Sequence, residues 1–273
     1  MRLRRKTTKT NIGPLVWDVP TRIFHWCLLI GVAYAWFAVE ILEDMQQHFY
    51  AGYSILTLLL FRLVWGFIGT RFARFKSFLY SPKTIFSYAK TLTTDSSKNS
   101  ATKSYFGHNP LGGLSALAML AVLMFQASSG LFSSDDYYYG PLAGLVDSSW
   151  VAQLTELHHL NSDIILALIG LHVISIFLYR WLKKEHLVGA MFHGRKFHGR
   201  KFHGRKFHGE KLHDQNLQEN SLDDQAQFDS EQGIKSSKLL LAALVLALSI
   251  TAVYLIANSF TDTLPSAEDY YSY

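Results

Sequence analysis

Residues 156–181 read ELHHLNSDIILALIGLHVISIFLYRW. The stretch is apolar over a membrane's width, with His158 near its start and His172 inside it. The two histidines are 14 residues apart. At about 100° per residue, that spacing returns to within about 40° of one helix face, after a rise of about 21 Å. His159 falls about 140° away from His172. One helix can therefore present two imidazoles from a single face, one near each side of an apolar layer about 30 Å thick. Titratable side chains are costly inside a membrane span and point to function. Two imidazoles stacked this way call for two metal or haem centres, each completed by a ligand from elsewhere in the chain.

Composition agrees with a membrane setting. Of 273 residues, 49% are hydrophobic and only 17% charged, and the mean hydropathy is +0.10. The apolar residues cluster into five runs: Arg22–Val39, His48–Gly69, Leu111–Phe132, His158–Trp181 and Leu239–Ala257. Runs of this length predict an all-α integral membrane protein. The net charge of +5 lies in the segments between runs, the pattern of loops facing anionic lipid, so a nucleic-acid partner is not expected. The single cysteine, Cys27, excludes an internal disulfide framework, and there is no C-x-x-C-H attachment motif. Any haem is held non-covalently. The first run begins like a signal peptide, but Arg22, His25 and tryptophans at 17, 26 and 36 fit a retained helix better.

Lys and Arg crowd the N-terminus, residues 70–108 and the segment after 181, whereas residues 40–47 and 133–155 contain neither. The positive-inside rule then places the N-terminus in the cytoplasm and, after five spans, the C-terminus outside. Depth follows from direction. His25 lies toward the inner side on the first helix and His48 toward the outer side on the second, while His158 is outer and His172 inner on the fourth. Two depth-matched pairs result, His48 with His158 and His25 with His172, and facing helices of a bundle can hold a bis-histidine haem in this manner. The alternative, isolated polar contacts between helices, does not account for two matched pairs. His159 competes with His158, although the helix face favours His158.

Arg62, inside the second run, reads either as a counter-ion to a haem propionate or quinone head group or as a snorkelling side chain. His108 reads as an interfacial residue beside the cap formed by Asn109 and Pro110, in preference to a proton donor near a quinone site, which no spacing supports. After the fourth run, FHGRK stands at 192–196, 197–201 and 202–206, followed by FHGEK at 207–211. On a helix these histidines would rotate about 140° per copy and share no face, so the repeat reads as a solvated linker resting on the inner leaflet rather than a metal site.

Four motifs carry a family resemblance: WDVPTRIFHW at 17–26, Gly52-Tyr53 with LLLFRLVWGFIGTRFARF ending at 75, YFGHNPLGGL at 105–114, and LHHLNSDIILALIGLHV at 157–173. Over about residues 15–196 the chain resembles the bacterial cytochrome b561 family, nearest to the b-type cytochrome subunits of nickel–iron hydrogenases. The resemblance implies a four-helix bundle with two b haems, whose ligands map onto His25, His48, His158 and His172. It also implies electron transfer between a redox partner and the quinone pool. The family often has an acidic residue where this chain has His159. The expected organisation is a cytochrome domain at 1–184, a polar linker at 185–237, a fifth transmembrane helix at 238–258 and an extracytoplasmic tail at 259–273. Expected partners are membrane lipid, quinone, an extracytoplasmic c-type cytochrome or hydrogenase-like protein, and a second copy of the chain. The rival readings are a superoxide:quinone oxidoreductase, disfavoured by the acidic outer loops, and a non-haem metal transporter.

Overall fold

The computed structural model describes residues 16–93, 107–135, 137–183, 187–195 and 236–259. The basic N-terminal tail, the repeat copies after Arg195 and the C-terminal tail lie outside the described residues. Within them the chain is helical: α1 (Val19–Glu40), α2 (Met45–Ile68), α3 (Pro82–Thr93), α4 (Pro110–Gly130), α5 (Ser148–Lys183), α6 (Leu187–His193) and α7 (Ser236–Ser259). Five of these, α1, α2, α4, α5 and α7, are long and apolar enough to cross a membrane.

The helix starts follow local chemistry. Asp18 caps α1, its carboxylate accepting from the Thr21 amide, with Pro20 in the first turn. Asp44 caps α2 through the Gln47 amide, and Asn109 caps α4 through the Gly112 amide, ahead of Pro110. Four residues join α1 to α2, with Glu43 in the left-handed region at φ 51°, so the two helices form a tight antiparallel hairpin. Gly194, at φ 76°, ends α6, and its carbonyl accepts from the amides of Val16 and Trp17.

The spans alternate in direction. One end of the bundle collects the start of α1, the end of α2, the start of α4, the end of α5 and the start of α7. There Asp18 accepts from Trp65 and Thr70, Tyr80 donates to the His108 carbonyl, Tyr88 and Tyr179 share a hydrogen bond, and Ala242 packs with Trp65. This end bears the exposed Arg71, Arg74, Lys76, Lys83 and Lys90 and is hereafter the basic end. The opposite, acidic end carries the α1–α2 turn and the 131–147 loop. That loop folds back on itself through a Ser134–Tyr139 bridge and is tied to α5 where the Ser134 amide donates to Thr155 Oγ1.

The hub is α2, packed against α1, α4 and α7. Buried residues make up 44% of its span, against 6% for α5. Three apolar clusters fill the bundle. Phe24, Phe61, Trp65, Ala242 and Val245 lie toward the basic end, Ala35, Ile55, Leu59, Leu123 and Ile165 at mid-height, and Leu56, Leu131 and Val253 toward the acidic end. Large apolar side chains point outward, among them Phe67 at 67% and Leu240 at 71% exposed, which water would penalise and lipid does not.

Two features depart from the sequence expectation. The fourth span begins at Ser148, ten residues before His158, so that α5 is about 54 Å long and stands above the apolar layer at the acidic end. The helices α3 and α6 were not expected at all. With α6 comes an addition to the reading of the repeat: the start of its first copy touches α1, while Phe192 and His193 stay exposed. Phe192 stacks on Trp26 at 4.4 Å, and its carbonyl accepts from Arg22.

Candidate functional site

Between α1, α2, α4 and α5, at the acidic end, lies a cavity of about 220 Å³, open on one side, with His48 and His158 both in its wall. Their rings are 6.2 Å apart, centroid to centroid, and nearly perpendicular at 82°. Each is held by its Nδ1. His48 lies in the first turn of α2, and its Nδ1 is 3.0 Å from the Ala35 carbonyl of α1. A carbonyl only accepts, so Nδ1 carries the proton and donates. His158 Nδ1 is 3.1 Å from the Gln126 carbonyl and 3.1 Å from Ser129 Oγ, both on α4. Ser129 in turn donates to the Gln126 carbonyl, so Nδ1–H of His158 serves two acceptors. With Nδ1 donating in both rings, Nε2 is the nitrogen left to take a further partner. A ring whose Nδ1–H is fixed on a carbonyl, leaving Nε2 to bind, is the arrangement metal-ligating histidines adopt.

The backbone makes room for this. A Cβ on Gly130 would sit 2.9 Å from His158 Cε1, so the absence of a side chain lets the ring rest against α4. A Cβ on Gly52, one turn after His48, would meet nothing within 4 Å and would project into the cavity. The rest of the wall is mainly apolar, including Ile55, Leu56, Leu123, Ala127 and Ile165. Asn161 is buried one turn beyond His158. Its Nδ2 donates to Gln126 Oε1 at 2.7 Å and to the Val122 carbonyl at 3.1 Å, joining α5 to α4 beneath the ring. His159 is exposed at the cavity's edge, its ring 6.3 Å from that of His158.

Toward the basic end, His25 on α1 and His172 on α5 are both half-buried and close enough for their charges to interact. His25 Nδ1 is buried without a hydrogen-bond partner among the described residues, while the Trp26 indole lies edge-on 5.3 Å away.

A family model described as prokaryotic cytochrome b561 matches residues 16–194. The chain belongs to this family. It is a multi-pass membrane b-type cytochrome that works in electron transfer, and its family implies haem b as the cofactor. A probable Ni/Fe-hydrogenase B-type cytochrome subunit of Rhizobium leguminosarum bv. viciae is 24% identical over 212 residues, covering 66% of this chain and 87% of the relative. No solved structure matches.

The residues at the acidic end fit a haem of this cytochrome. Two imidazoles with Nε2 available share an apolar cavity, and Gly52 leaves space beside one of them. At the basic end the orphaned Nδ1 of His25 beside His172 is also compatible with a bound group, although the pair has less visible support from neighbouring residues.

Arg62 does not snorkel. It is 5% exposed, with its guanidinium 5.1 Å from the Phe75 ring and 6.0 Å from Phe78. Asp18 is near enough to interact electrostatically, and Arg62 Nη1 has no partner among the described residues. The side chain thus sits in an aromatic box at the basic end, away from the His48–His158 cavity. His108 packs between Trp17 and Phe78 at 4.6 and 4.8 Å, beside the α4 cap. Sequence reasoning missed Ser129, Gln126 and Asn161. The signal was available: they are polar residues inside apolar runs, within one turn of the level of His158.

Proposed function

We propose that this cytochrome carries two non-covalent haem b groups, one ligated by His48 and His158 and the other by His25 and His172, and passes electrons across the membrane between a redox protein and quinone. The observation that carries this reading is the pair of Nδ1-anchored imidazoles on facing helices around one apolar cavity. Haem supplies a one-electron couple when bound. The protein's own contribution is to hold that couple rigidly. Ala35, Gln126 and Ser129 fix two imidazoles in one tautomer, and the mainly apolar wall lowers the local dielectric around the group. Separate sites near the two ends would let electrons cross in two shorter steps.

The charge pattern supports an orientation in the bacterial inner membrane with the basic end and N-terminus cytoplasmic and the C-terminus extracytoplasmic. Residues 1–184 then form the cytochrome unit, 185–237 a cytoplasmic connection, 238–258 a fifth span and 259–273 an outer tail. The redox partner, a hydrogenase-like protein or a c-type cytochrome, docks at the acidic end, where Asp135, Tyr137 and Tyr138 are presented. Quinone exchanges electrons at the basic end near Arg62 and His108. Unchanged quinone turnover in both Arg62→Gln and His108→Ala would remove that placement.

The decisive test is haem content. A dithionite-minus-oxidised spectrum with pyridine haemochrome should give two haems b per chain, reduced to one by His48→Ala or by His25→Ala. One haem or none in the unmodified protein would overturn the two-centre reading.

A further inference from the structure

We propose that α3 lies in the plane of the membrane at the basic end and binds anionic phospholipid in the headgroup layer. The helix is anchored to span ends on both sides. Just before it, the Tyr80 hydroxyl donates to the carbonyl of His108, next to the cap of α4. From its middle, the Tyr88 hydroxyl meets that of Tyr179, near the end of α5, at 3.1 Å. The start of one span and the end of another mark the edge of the apolar layer. A helix about 18 Å long fastened to both is held at that level.

Its side chains divide accordingly. Ile85, Tyr88 and Ala89 share one face and are partly buried toward the bundle. Phe86, on the shoulder of that face, is 75% exposed, and Leu79 just ahead of the helix is 60% exposed. Lys83 and Lys90 lie within about 60° of Phe86 around the helix. Residues 70–93 contain five basic residues and no acidic one, and Arg71, Arg74, Lys76, Lys83 and Lys90 are all exposed. Exposed apolar groups flanked by long cationic side chains suit a layer that is hydrocarbon on one side and phosphate on the other. The ring and the leucine enter the acyl boundary while lysine and arginine reach back to the phosphates. A soluble acidic protein would satisfy the charges but would have to approach at the level the lipid already fills.

The test uses the full-length haem-loaded protein in nanodiscs. In a Cys27→Ser background, Phe86→Cys and, on the opposite face, Thr84→Cys are each nitroxide-labelled. Their collision rates with oxygen and with a water-soluble nickel chelate are then compared. We expect the label at 86 to favour oxygen and the label at 84 to favour the chelate. Equal chelate access at both positions, or shielding of position 86 from both reagents, would overturn the proposal in favour of an aqueous helix or a protein contact. In a second measurement, the combined Arg74→Gln, Lys76→Gln and Lys83→Gln variant should lose roughly fivefold of its preference for spin-labelled phosphatidylglycerol over phosphatidylcholine. An unchanged preference would refute the anionic-lipid assignment. All three positions are exposed, so the fold and haem spectrum should not change.

Discussion

Replacing Gly130 with alanine should weaken haem binding at the acidic end while leaving the helices in place. The added Cβ would stand 2.9 Å from His158 Cε1, and ordinary contact begins near 3.4 Å, so the imidazole must retreat by about half an ångström. Gly130, Gln126 and Ser129 are all on α4, so a ring pushed off that helix moves away from both of its acceptors. Its Nδ1 contacts of 3.1 Å would lengthen to about 3.6 Å, where a hydrogen bond no longer exists. Losing that bond costs about 0.5–1.5 kcal/mol, and crowding a packed site costs about 1–3 kcal/mol. Replacing a helical glycine returns at most about 1 kcal/mol, and less at the last residue of a helix. The net penalty of about 0.5–4.5 kcal/mol corresponds to roughly a 2- to 2000-fold weaker site. Haemin titration of apoprotein, read by pyridine haemochrome, should show one site weakened by this amount and the other unchanged. Gly170→Ala is the control, since a Cβ there meets nothing within 4 Å. Full-strength binding at both sites in Gly130→Ala, or equal weakening in Gly170→Ala, would refute the reasoning.

Other perturbations probe the same architecture. Gly52→Leu should fill the cavity beside His48 and exclude haem there while circular dichroism stays unchanged; retention of that haem would mean that the group binds elsewhere. His158→Ala should remove one haem and His159→Ala none, and the reverse result would exchange the ligand assignment. Asp18→Ala removes the acceptor shared by the Thr21 amide, Trp65 and Thr70 at a cost of about 3 kcal/mol or more, which should lower the unfolding temperature in detergent by roughly 5–10 °C. A change within 2 °C would mean that this buried carboxylate contributes little. Asn161→Leu leaves Gln126 without its donor and should cost about 1–3 kcal/mol, seen as earlier haem release on heating. Release at the unmodified temperature would argue against a role for the α4–α5 bond beneath His158.

The spans could be read from the chain because membrane length and apolar content are local properties, and the caps Asp18, Asp44 and Asn109 stand where short polar residues meet apolar runs. The approach of His48 to His158 was also accessible, because direction and depth follow from charge and helical rise. What escaped the sequence was mostly set by packing. The reading from residues 156–181 made the fourth span central, whereas α2 is the hub and α5 lies at the periphery, because the cavity separates much of α5 from α1 and α2. The start of α5 was placed late because the ten residues before His158 are too polar to register as a span, yet form helix above it. Arg62 offered two readings, and neither anticipated the box of Phe75 and Phe78, which exists only because the chain after α2 turns back under the bundle. The short α3 and α6 lack the length that makes a helix evident from composition.

The backbone around the pentapeptide copies has a bearing on how such a sequence tolerates change. Gly194 is fastened to the amides of Val16 and Trp17, and α7 starts beside Trp65 at that same end of the bundle. The two points thus stand at one end of the bundle, so gain or loss of a five-residue unit between them reverses none of the described helices and moves none of the four histidines. Closing a longer loop is inexpensive, about 0.6 kcal/mol for each doubling of its length. Replication slippage in this stretch would thus be nearly silent for the fold, and homologous chains can be expected to differ in copy number while keeping the first copy, whose Phe192 packs against Trp26.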